Sequence, residues 1–246
     1  MGKAIYDGIY RELRERIVRG DYPPQSFLPS ETVLCSEYGC SRMTVRKAIS
    51  MLANEGMVAS IKGRGVRVIR PKTDQNQTEK AFYVNGLTSF TESARAIGAK
   101  PSARLFVLDH VVCSPELSLQ TGFAEGEDLT RVNLVRSLDG VAMAVDRHHF
   151  LTRIVPNIDE HVATSSLFRY CEENLGLNIT VSNREVSVEL PTPEDKELLG
   201  ITEPIYLAVM RSRTYDSDGE QFEYVVSKYL PNWFRFFDSA TRTPLP

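Results

Sequence analysis

The chain has 246 residues and a mass of 27.7 kDa, a size that suits one large domain or two modest ones. Its residues are 42% hydrophobic and 25% charged, which is enough apolar material for a packed core. No uninterrupted apolar stretch approaches the roughly 20 residues that span a bilayer. The N-terminus, MGKAIYDGIYREL, also lacks the apolar core of a signal peptide. We therefore expect a cytoplasmic protein with no membrane partner.

The net charge of −3 conceals an uneven distribution of charge along the chain. Residues 1–72 contain 13 Lys and Arg against 7 Asp and Glu, whereas the remainder contains 16 against 25. A basic N-terminal third on an acidic body indicates that only this end meets a polyanion such as DNA. Charge alone leaves chance as an equal alternative, so the prediction of a nucleic-acid partner depends on the motifs.

Residues 1–70 are predicted to form three helices and a β-hairpin. Apolar residues recur at every fourth position of the first helix, at Ile5, Ile9, Leu13 and Ile17. Ser30 and Ser41 can cap a short second helix and a longer third helix. The run IKGRG then joins two β-prone stretches, which suits a tight hairpin. A short helix, a turn and a basic helix form a helix-turn-helix pattern, to which the hairpin adds a wing.

A second domain is predicted to follow a polar linker. Residues 71–80, PKTDQNQTEK, are predicted to connect the first domain to residues 81–246, where predicted helices and strands alternate. Asp139-Gly140 and Ser217-Asp218-Gly219 each separate two predicted strands, and such hairpin signals favour an antiparallel sheet. We therefore expect an α+β protein with an N-terminal winged helix-turn-helix and a C-terminal domain built on a mostly antiparallel sheet.

The third predicted helix carries three cations, Arg42, Arg46 and Lys47, with no carboxylate to answer them until its end. Cations near the start of a helix oppose its dipole, so the fold gains little from them there. A DNA backbone or the edge of a guanine would interact favourably with these cations. The hairpin with Lys62 and Arg64 could approach a phosphate or the minor groove. The alternative is a solvated charged face, but the helix-turn-helix arrangement favours DNA binding.

The segment of residues 10–68 resembles the winged helix of GntR-family bacterial transcription regulators. Its LPSE, SRMTVRKAI, L-x-x-E-G and K-G-R-G elements occur in the order typical of that family. The resemblance implies that the third helix enters the major groove and that a homodimer binds a palindromic double-stranded DNA operator. The residues that we expect at the DNA are Ser30, Glu31, Ser41, Arg42, Thr44, Arg46, Lys47, Lys62, Arg64 and Gly65.

Most of residues 84–238 resembles the effector-binding UTRA domain of the HutC subfamily, which is related to the chorismate lyase fold. The similarity lies in segments such as NGLTSFTESARAIG, VRSLDGVAMAVDRHHF and SSLFRYCEENLGL. Within the subfamily, several segments look most like the repressors of trehalose operons. The resemblance therefore implies a sugar phosphate as effector. Trehalose 6-phosphate is the first candidate, and glucosamine 6-phosphate or another phosphosugar is the alternative.

The residues themselves permit a sugar phosphate. Such a ligand needs a cation and N–H or hydroxyl donors for its phosphate, and polar partners for its hydroxyls. Thr88 and Ser89 precede a predicted helix whose first amides could receive the phosphate, although a plain N-cap role is about equally supported. Arg136 lies in a strand among apolar neighbours and requires an anion, either the ligand or an internal partner such as Asp146 or Glu223. We favour the ligand.

The resemblance to phosphosugar-binding relatives supplies further candidate residues. It points to Arg136, Asp146, Ser166, Phe168, Glu223 and Tyr229. The full set that we expect at the effector also contains Thr88, Ser89, Phe90, Arg147 and Ser165. Those relatives often carry a second arginine where this chain has Leu134. Phosphate affinity is then supplied differently, by Arg147 or Arg169, or the effector itself differs.

Two other classes of function are alternatives. Asp146, His148 and His149 offer acid–base groups, but no nucleophile motif and no phosphate-binding glycine loop accompanies them. The adjacent histidines would point to opposite faces of a strand, and the cysteines lack paired spacing. We therefore expect no enzyme, no metal site and no cofactor. A DNA-binding protein without a ligand is the second alternative, and the large polar second domain argues only weakly against it.

Overall fold

The computed structural model describes residues 2–69, 82–84 and 87–236. They form an α+β protein, as predicted, with two compact units, one within residues 2–69 and the other within residues 82–236. The predicted linker, residues 71–80, lies outside the described residues, so the domain boundary stays a prediction. No described helix is both long enough and apolar enough to cross a membrane.

The first unit is a winged helix-turn-helix. Its elements are α1 (Gly2–Arg19), α2 (Glu31–Tyr38), α3 (Arg42–Asn54), β1 (Val58–Ile61) and β2 (Gly65–Val68). The side chains of Ser30 and Ser41 accept hydrogen bonds from amides three residues further on, so each serine caps its helix. β1 and β2 pair in antiparallel fashion, and Ile61 lies opposite Gly65 at the hairpin.

One apolar core joins all five elements of this unit. Its buried residues are Ile9, Leu13, Ile17, Leu28, Leu34, Val45, Ala48, Ile49, Leu52, Met57, Val58 and Val68. The recurrence in α1 therefore predicts three core positions. Ile5, the first residue of that stripe, is half exposed, because the buried cluster begins one helical turn later at Ile9.

The second unit places helices against an antiparallel sheet. Its helices are α4 (Phe90–Ala96), α5 (Pro115–Thr121), α6 (Glu160–Thr164), α7 (Leu167–Arg169) and α8 (Pro193–Leu199), and a π-helical segment, Tyr170–Asn174, follows α7. Its strands are β3 (Phe82–Val84), β4 (Pro101–Val112), β5 (Asp128–Leu138), β6 (Val141–Leu151), β7 (Ile179–Glu189), β8 (Leu207–Asp216), β9 (Gln221–Tyr229) and β10 (Phe234–Phe236).

Six strands form one sheet in the order β4-β5-β6-β9-β8-β7, and every neighbouring pair is antiparallel. Because side chains alternate between the two faces of a strand, the sheet has two distinct faces. Leu167 of α7 packs on one face in a cluster with Phe150. Leu199 of α8 packs on the other face in a cluster with Val145. The face beneath α4, α6 and α7 carries the cavity described below.

The structure differs from the sequence-based expectation at two places. β3 and β10 pair in parallel as a separate two-stranded sheet, which joins segments about 150 residues apart and has no local sequence signal. The segment SSLFRYCEENLG, whose sequence predicts a single helix, is divided into α7 and the π-helical segment, which keeps Leu167 and Cys171 buried. The hairpin at Asp139-Gly140 is confirmed, and both residues have positive φ, as its tight turn requires.

Candidate functional site

Helix α3 carries an exposed basic face. Arg42, Arg46 and Lys47 are exposed, while the opposite side of the helix contributes four residues to the core. The Nε of Arg46 donates to both carboxylate oxygens of Glu31, each 3.0 Å away. The carboxylate that answers this cation therefore comes from α2 and not from α3. Arg46 is still 59% exposed, so its two Nη groups are accessible to a further partner.

The neighbouring cations of α3 have weaker partners. The Nζ of Lys47 lies 4.1 Å from the centre of the Tyr6 ring, and an Nη of Arg42 lies 3.5 Å from the Thr32 hydroxyl. Thr44 contacts the capping serine, because its hydroxyl lies 2.9 Å from that of Ser41. Arg42 and Lys47 form no ion pair with a described carboxylate. Their charges can meet phosphates without first breaking an internal pair.

The wing presents two further cations. Lys62, Arg64 and Gly65 are all exposed at the β1–β2 hairpin. Gly65 has a φ of 106°, a conformation that strains any side chain, so glycine shapes this turn. Arg64 packs over the Phe27 ring at 5.7 Å. Ser30, Glu31 and the wing residues thus belong to one unit with α3, and their contacts to DNA stay predictions.

A cavity lies in the second unit, between the sheet, the start of α4 and residues 165–168, which follow α6 and enter α7. It has a volume of about 740 Å³ including the space open to solvent at its mouth. Ten of the eleven residues predicted at the effector line it: Thr88, Ser89, Phe90, Arg136, Asp146, Ser165, Ser166, Phe168, Glu223 and Tyr229. The structure therefore brings together residues that are up to 141 positions apart in the chain.

Two serines at the cavity have capping roles. The Ser89 hydroxyl accepts from the Glu92 amide, and the Glu92 carboxylate accepts from the Ser89 amide, which completes a capping box on α4. The Ser166 hydroxyl accepts from the Arg169 amide at the start of α7. The N-cap interpretation of Ser89 is thus realised, and the Glu92 carboxylate already accepts from the Ser89 amide, one of the donors that were expected for a phosphate.

A chain of buried charged groups forms the floor of the cavity. The Nε of Arg136 donates to Oδ2 of Asp146 over 2.7 Å. His148 Nδ1 lies 2.9 Å from Oε1 of Glu223, whose Oε2 accepts from Thr214 over 2.9 Å. Arg136 therefore has an internal anion, which is the alternative that the sequence left open. Its remaining N–H groups are the donors that it can offer to a ligand.

Neighbouring charges shift the pKa values of the Asp146 and His148 side chains in this floor. Burial alone would raise the pKa of Asp146, but His148 and Arg136 hold it well below its ordinary value. Burial alone would lower the pKa of His148, yet the Asp146 and Glu223 carboxylates raise it. His149 points to the other face of the sheet, where burial and Arg131 lower its pKa to about 4. The floor thus favours a charged imidazolium between two carboxylates.

Four polar atoms that line the cavity have no hydrogen-bond partner in the part of the chain that the structure describes. Asp146 Oδ1, His148 Nε2, Arg184 Nε and Ser212 Oγ are buried and have no hydrogen-bond partner among the described residues. Native proteins leave few such groups, because each costs on the order of 1–3 kcal/mol when it is unpaired. The four atoms comprise a carboxylate acceptor, two ring or guanidinium nitrogens and a hydroxyl that can donate or accept, so a ligand rich in hydroxyl groups would satisfy them. The arrangement is typical of a binding cavity for a polar small molecule.

Comparison with known families decides the class of the protein. Residues 5–68 match the family of bacterial regulatory proteins called gntR, and residues 96–235 match the UTRA domain. The chain belongs to the GntR family. Its order of domains is the HutC type predicted from the sequence. As a member of this family it is a DNA-binding transcriptional regulator that responds to a small-molecule effector.

Individual GntR relatives cover almost the whole chain. The HTH-type transcriptional regulator TreR of Bacillus subtilis is 32% identical over 234 residues, which is 95% of this chain and 96% of that protein. The HTH-type transcriptional repressor NagR of the same organism is 30% identical over 94% of this chain and 93% of its own length. Neither of these relatives carries an enzyme name.

Solved structures of GntR-type proteins share the fold. The possible transcriptional regulator YydK of B. subtilis superposes with a TM-score of 0.78 at 22% identity and covers 96% of this chain and 99% of that one. The effector binding domain of the B. subtilis trehalose repressor TreR superposes with a TM-score of 0.53 at 26% identity, over 58% of this chain and 99% of that one.

One of the eleven residues predicted to contact the effector does not line the cavity. Arg147 is on the face of β6 opposite the cavity, where its guanidinium donates to Asp195 over 2.9 Å and also pairs with Glu194. Its neighbours in sequence, Asp146 and His148, face the cavity because side chains alternate along a strand. The prediction of Arg147 as an effector contact is therefore wrong. Its role is to anchor α8 to the sheet.

The cations that could bind a phosphate in the cavity differ in part from the ones that the sequence indicated. Leu134 is fully buried in the core, so its position offers no donor. Arg169 is exposed and lines an adjoining pocket that shares Arg136 and Ser166 with the main cavity. The cation that sequence reasoning missed is Arg184 of β7, which lines the main cavity. Burial lowers the pKa of Arg184, as expected for a cation without a close anion.

Proposed function

We propose that this GntR-family regulator is a repressor that leaves its operator when a phosphorylated sugar binds the second unit. Trehalose 6-phosphate is the first candidate, and glucosamine 6-phosphate is the alternative. The similarity to TreR of B. subtilis, whose effector domain is described as that of a trehalose repressor, supports the first choice. The observation that carries the proposal is the cavity, because its unsatisfied polar atoms match a polyhydroxyl ligand.

The phosphate is proposed to bind where β5 meets the segment between α6 and α7. Arg136, Ser165 and Ser166 line both the main cavity and the pocket that adjoins it. The remaining N–H groups of Arg136 and the Ser166 hydroxyl, which accepts from the Arg169 amide and keeps its own proton, supply donors for phosphate oxygens. The Ser165 hydroxyl donates to the Val162 carbonyl over 2.9 Å and would have to turn to reach the ligand. The sugar hydroxyls would then meet Asp146 and Glu223 on the floor. Carboxylates accept hydrogen bonds from hydroxyl groups, so this placement uses both ends of the ligand.

The DNA-binding step is proposed to use α3 and the wing. Arg42 and Arg46 would contact base edges or phosphates in the major groove, while Lys62 and Arg64 approach the neighbouring backbone. A homodimer would place two such units on the halves of a palindromic operator. Its cytoplasmic location follows from this role as a regulator of transcription. The basic charge of residues 1–72 supports this mode of binding.

Repression is proposed to end because the effector favours a state with low operator affinity. An effector can shift such an equilibrium only by its difference in affinity for the two states. Thermodynamic reciprocity then requires operator DNA to weaken effector binding by the same factor by which the effector weakens operator binding. Equal effector affinity with and without operator would contradict the proposal.

The experiment is calorimetric titration of the full chain, with and without an operator duplex selected from random-sequence DNA by binding to the protein. The ligands are trehalose 6-phosphate, trehalose, glucosamine 6-phosphate and inorganic phosphate. We expect tight binding of trehalose 6-phosphate alone, weakened by the operator. Binding of glucosamine 6-phosphate instead would keep the mechanism and replace the effector. No binding of any of the four ligands would overturn the proposal of a phosphorylated sugar.

A further inference from the structure

Arg184 stands apart from the other charged groups of the cavity. It lies on β7, the edge strand of the sheet, directly opposite Ser212 of β8. Its Nε is buried without a hydrogen-bond partner, and the Ser212 hydroxyl, on a side chain only 4% exposed, also lacks one. No described carboxylate forms an ion pair with Arg184. The two side chains therefore present unused donors to the same space.

Glu223, the floor carboxylate whose charge acts on Arg184, does not satisfy it. Both oxygens of Glu223 are already engaged, one with His148 and the other with Thr214. Arg211 of the neighbouring strand β8 is on the opposite face of the sheet and pairs with Glu189. An arginine on an edge strand can usually turn to solvent, but the Nε of Arg184 is enclosed. Its orientation is thus explained by the cavity and not by an internal partner.

Arg184 and Arg136 bound the cavity on opposite sides. Both residues line it, and their strands, β7 and β5, are four positions apart in the sheet. Strands are spaced by about 4.8 Å, so the backbones of the two residues are separated by about 19 Å across the sheet. Two long side chains that reach inward from such positions suit an elongated ligand. A ligand held only near Arg136 would leave Arg184 and Ser212 without partners.

We propose that Arg184, with Ser212, binds hydrogen-bond acceptor oxygens at the far end of an elongated effector. This rests on the proposed function, in which the phosphate lies near Arg136. The chemical class is a phosphorylated disaccharide, whose second sugar ring supplies paired hydroxyl oxygens to the guanidinium. Arg184 then selects a phosphorylated disaccharide over a phosphorylated monosaccharide, because a single ring at the phosphate end leaves the buried donors unpaired.

The test compares two ligands that differ by one ring, trehalose 6-phosphate and glucose 6-phosphate, by calorimetry on the full chain. For Arg184→Met we expect affinity for trehalose 6-phosphate to fall by at least about tenfold, the effect of losing a charged hydrogen bond. Affinity for glucose 6-phosphate should stay within about twofold. Arg211→Met is the matched control, since it removes an arginine from the other face of the same region and should change neither affinity.

Each other outcome has a defined meaning. Equal loss for both ligands, or no loss for either, would overturn the role of Arg184 and leave the proposed function standing. Equal affinity of the unaltered protein for both ligands would overturn the selection in the same way. Failure of the unaltered protein to bind any phosphorylated sugar would overturn both proposals. Ser212→Ala, a smaller change, should reduce the same preference for the disaccharide. If Arg184→Met does not fold, an unchanged preference in Ser212→Ala overturns the proposal and a reduced preference supports it.

Discussion

The Nε of Arg136 donates to Oδ2 of Asp146 over 2.7 Å, and each of these side chains is less than one-tenth exposed. The pair joins β5 to β6 at the floor of the cavity. Removing one member of a buried ion pair leaves an uncompensated charge, which costs more than the pair contributes. Any substitution at Arg136 therefore acts on stability as well as on effector binding, and a test must separate the two.

Arg136→Met is expected to lower the free energy of unfolding by about 3–5 kcal/mol and to abolish the response to effector. Urea unfolding followed by the fluorescence of Trp233 measures the first effect. Trp233 is the single tryptophan of the chain and packs against the apolar cluster of the second unit, so it reports on this unit alone. Calorimetry with the effector measures the second effect.

The double variant Arg136→Met with Asp146→Asn serves as the control. It removes both charges, so we expect stability to recover in part. The effector response should stay absent, because the variant lacks two proposed contacts of the effector, Arg136 and Asp146. A response that returns together with stability would place the phosphate away from Arg136. Operator affinity should be unchanged in both variants, because the substitutions lie outside the winged helix-turn-helix.

Arg147→Met is expected to destabilise the second unit without changing effector affinity. Asp195 is fully buried and accepts from Arg147 and from Lys228, 2.9 and 2.8 Å away. Loss of one hydrogen bond to a charged group costs about 1.5–3 kcal/mol, and Lys228 compensates in part. Arg153→Met is the matched control, because its pair with Glu220 is exposed to solvent and should change stability little. Weaker effector binding in Arg147→Met would contradict its assignment to the other face.

The stability of the second unit should fall as pH rises above 6.5, owing to His148. Burial opposes its charge, but Asp146 and Glu223 raise its pKa above the ordinary value of 6.5. A raised pKa in the folded state means that the stabilisation is complete below 6.5 and disappears as pH rises through the folded value. Each unit of pKa difference corresponds to about 1.4 kcal/mol.

The measurement is the difference in unfolding free energy between the unaltered protein and His148→Gln, followed by Trp233 fluorescence between pH about 6 and 9. We expect this difference to shrink as pH rises. His149 has a lowered pKa of about 4 and so acts in the opposite sense below 6.5, but it is present in both proteins and cancels. A difference that does not vary with pH would show that His148 is not charged in the folded state.

Local signals predicted most of the fold. The hairpin at Asp139-Gly140 and the caps at Ser30 and Ser41 depend on residues within a few positions of one another, and the structure contains all three. Strand alternation also separates Arg147 from Asp146. The same alternation, applied strictly, would have removed Arg147 from the predicted effector site.

Non-local pairing is what the sequence alone could not supply. Arg184 enters the cavity because β7 pairs with β8, which sets it beside Ser212, and nothing within β7 indicates that partner. Ser212 and Thr214 are two residues apart in β8 and so share one face of the strand, which indicates a polar face. This spacing does not indicate where in the sheet that face lies. Likewise, the sequence indicates that Arg136, which lies among apolar neighbours, requires an anion. Only the structure shows that Asp146 already provides one.

The last prediction concerns the DNA-binding unit, where Arg46 pairs with Glu31. Arg46→Ala is expected to weaken operator binding by about 1–3 kcal/mol, the contribution of one bidentate contact between an arginine and a guanine. Binding to random-sequence DNA should change much less, because that affinity depends on the number of phosphate contacts. Arg19→Ala is the matched control, since Arg19 is also exposed and paired, with Asp21, but lies outside the predicted interface.

Glu31→Gln separates orientation from charge in this contact. It removes a carboxylate that orients Arg46 but also repels phosphates, so we expect binding to random-sequence DNA to strengthen slightly and the preference for operator to fall. Fluorescence anisotropy with operator and scrambled duplexes at the same salt concentration measures both affinities. An unchanged preference in Glu31→Gln, together with unchanged operator affinity in Arg46→Ala, would remove this pair from the DNA interface and leave Arg42, Lys47 and the wing as its cationic contacts.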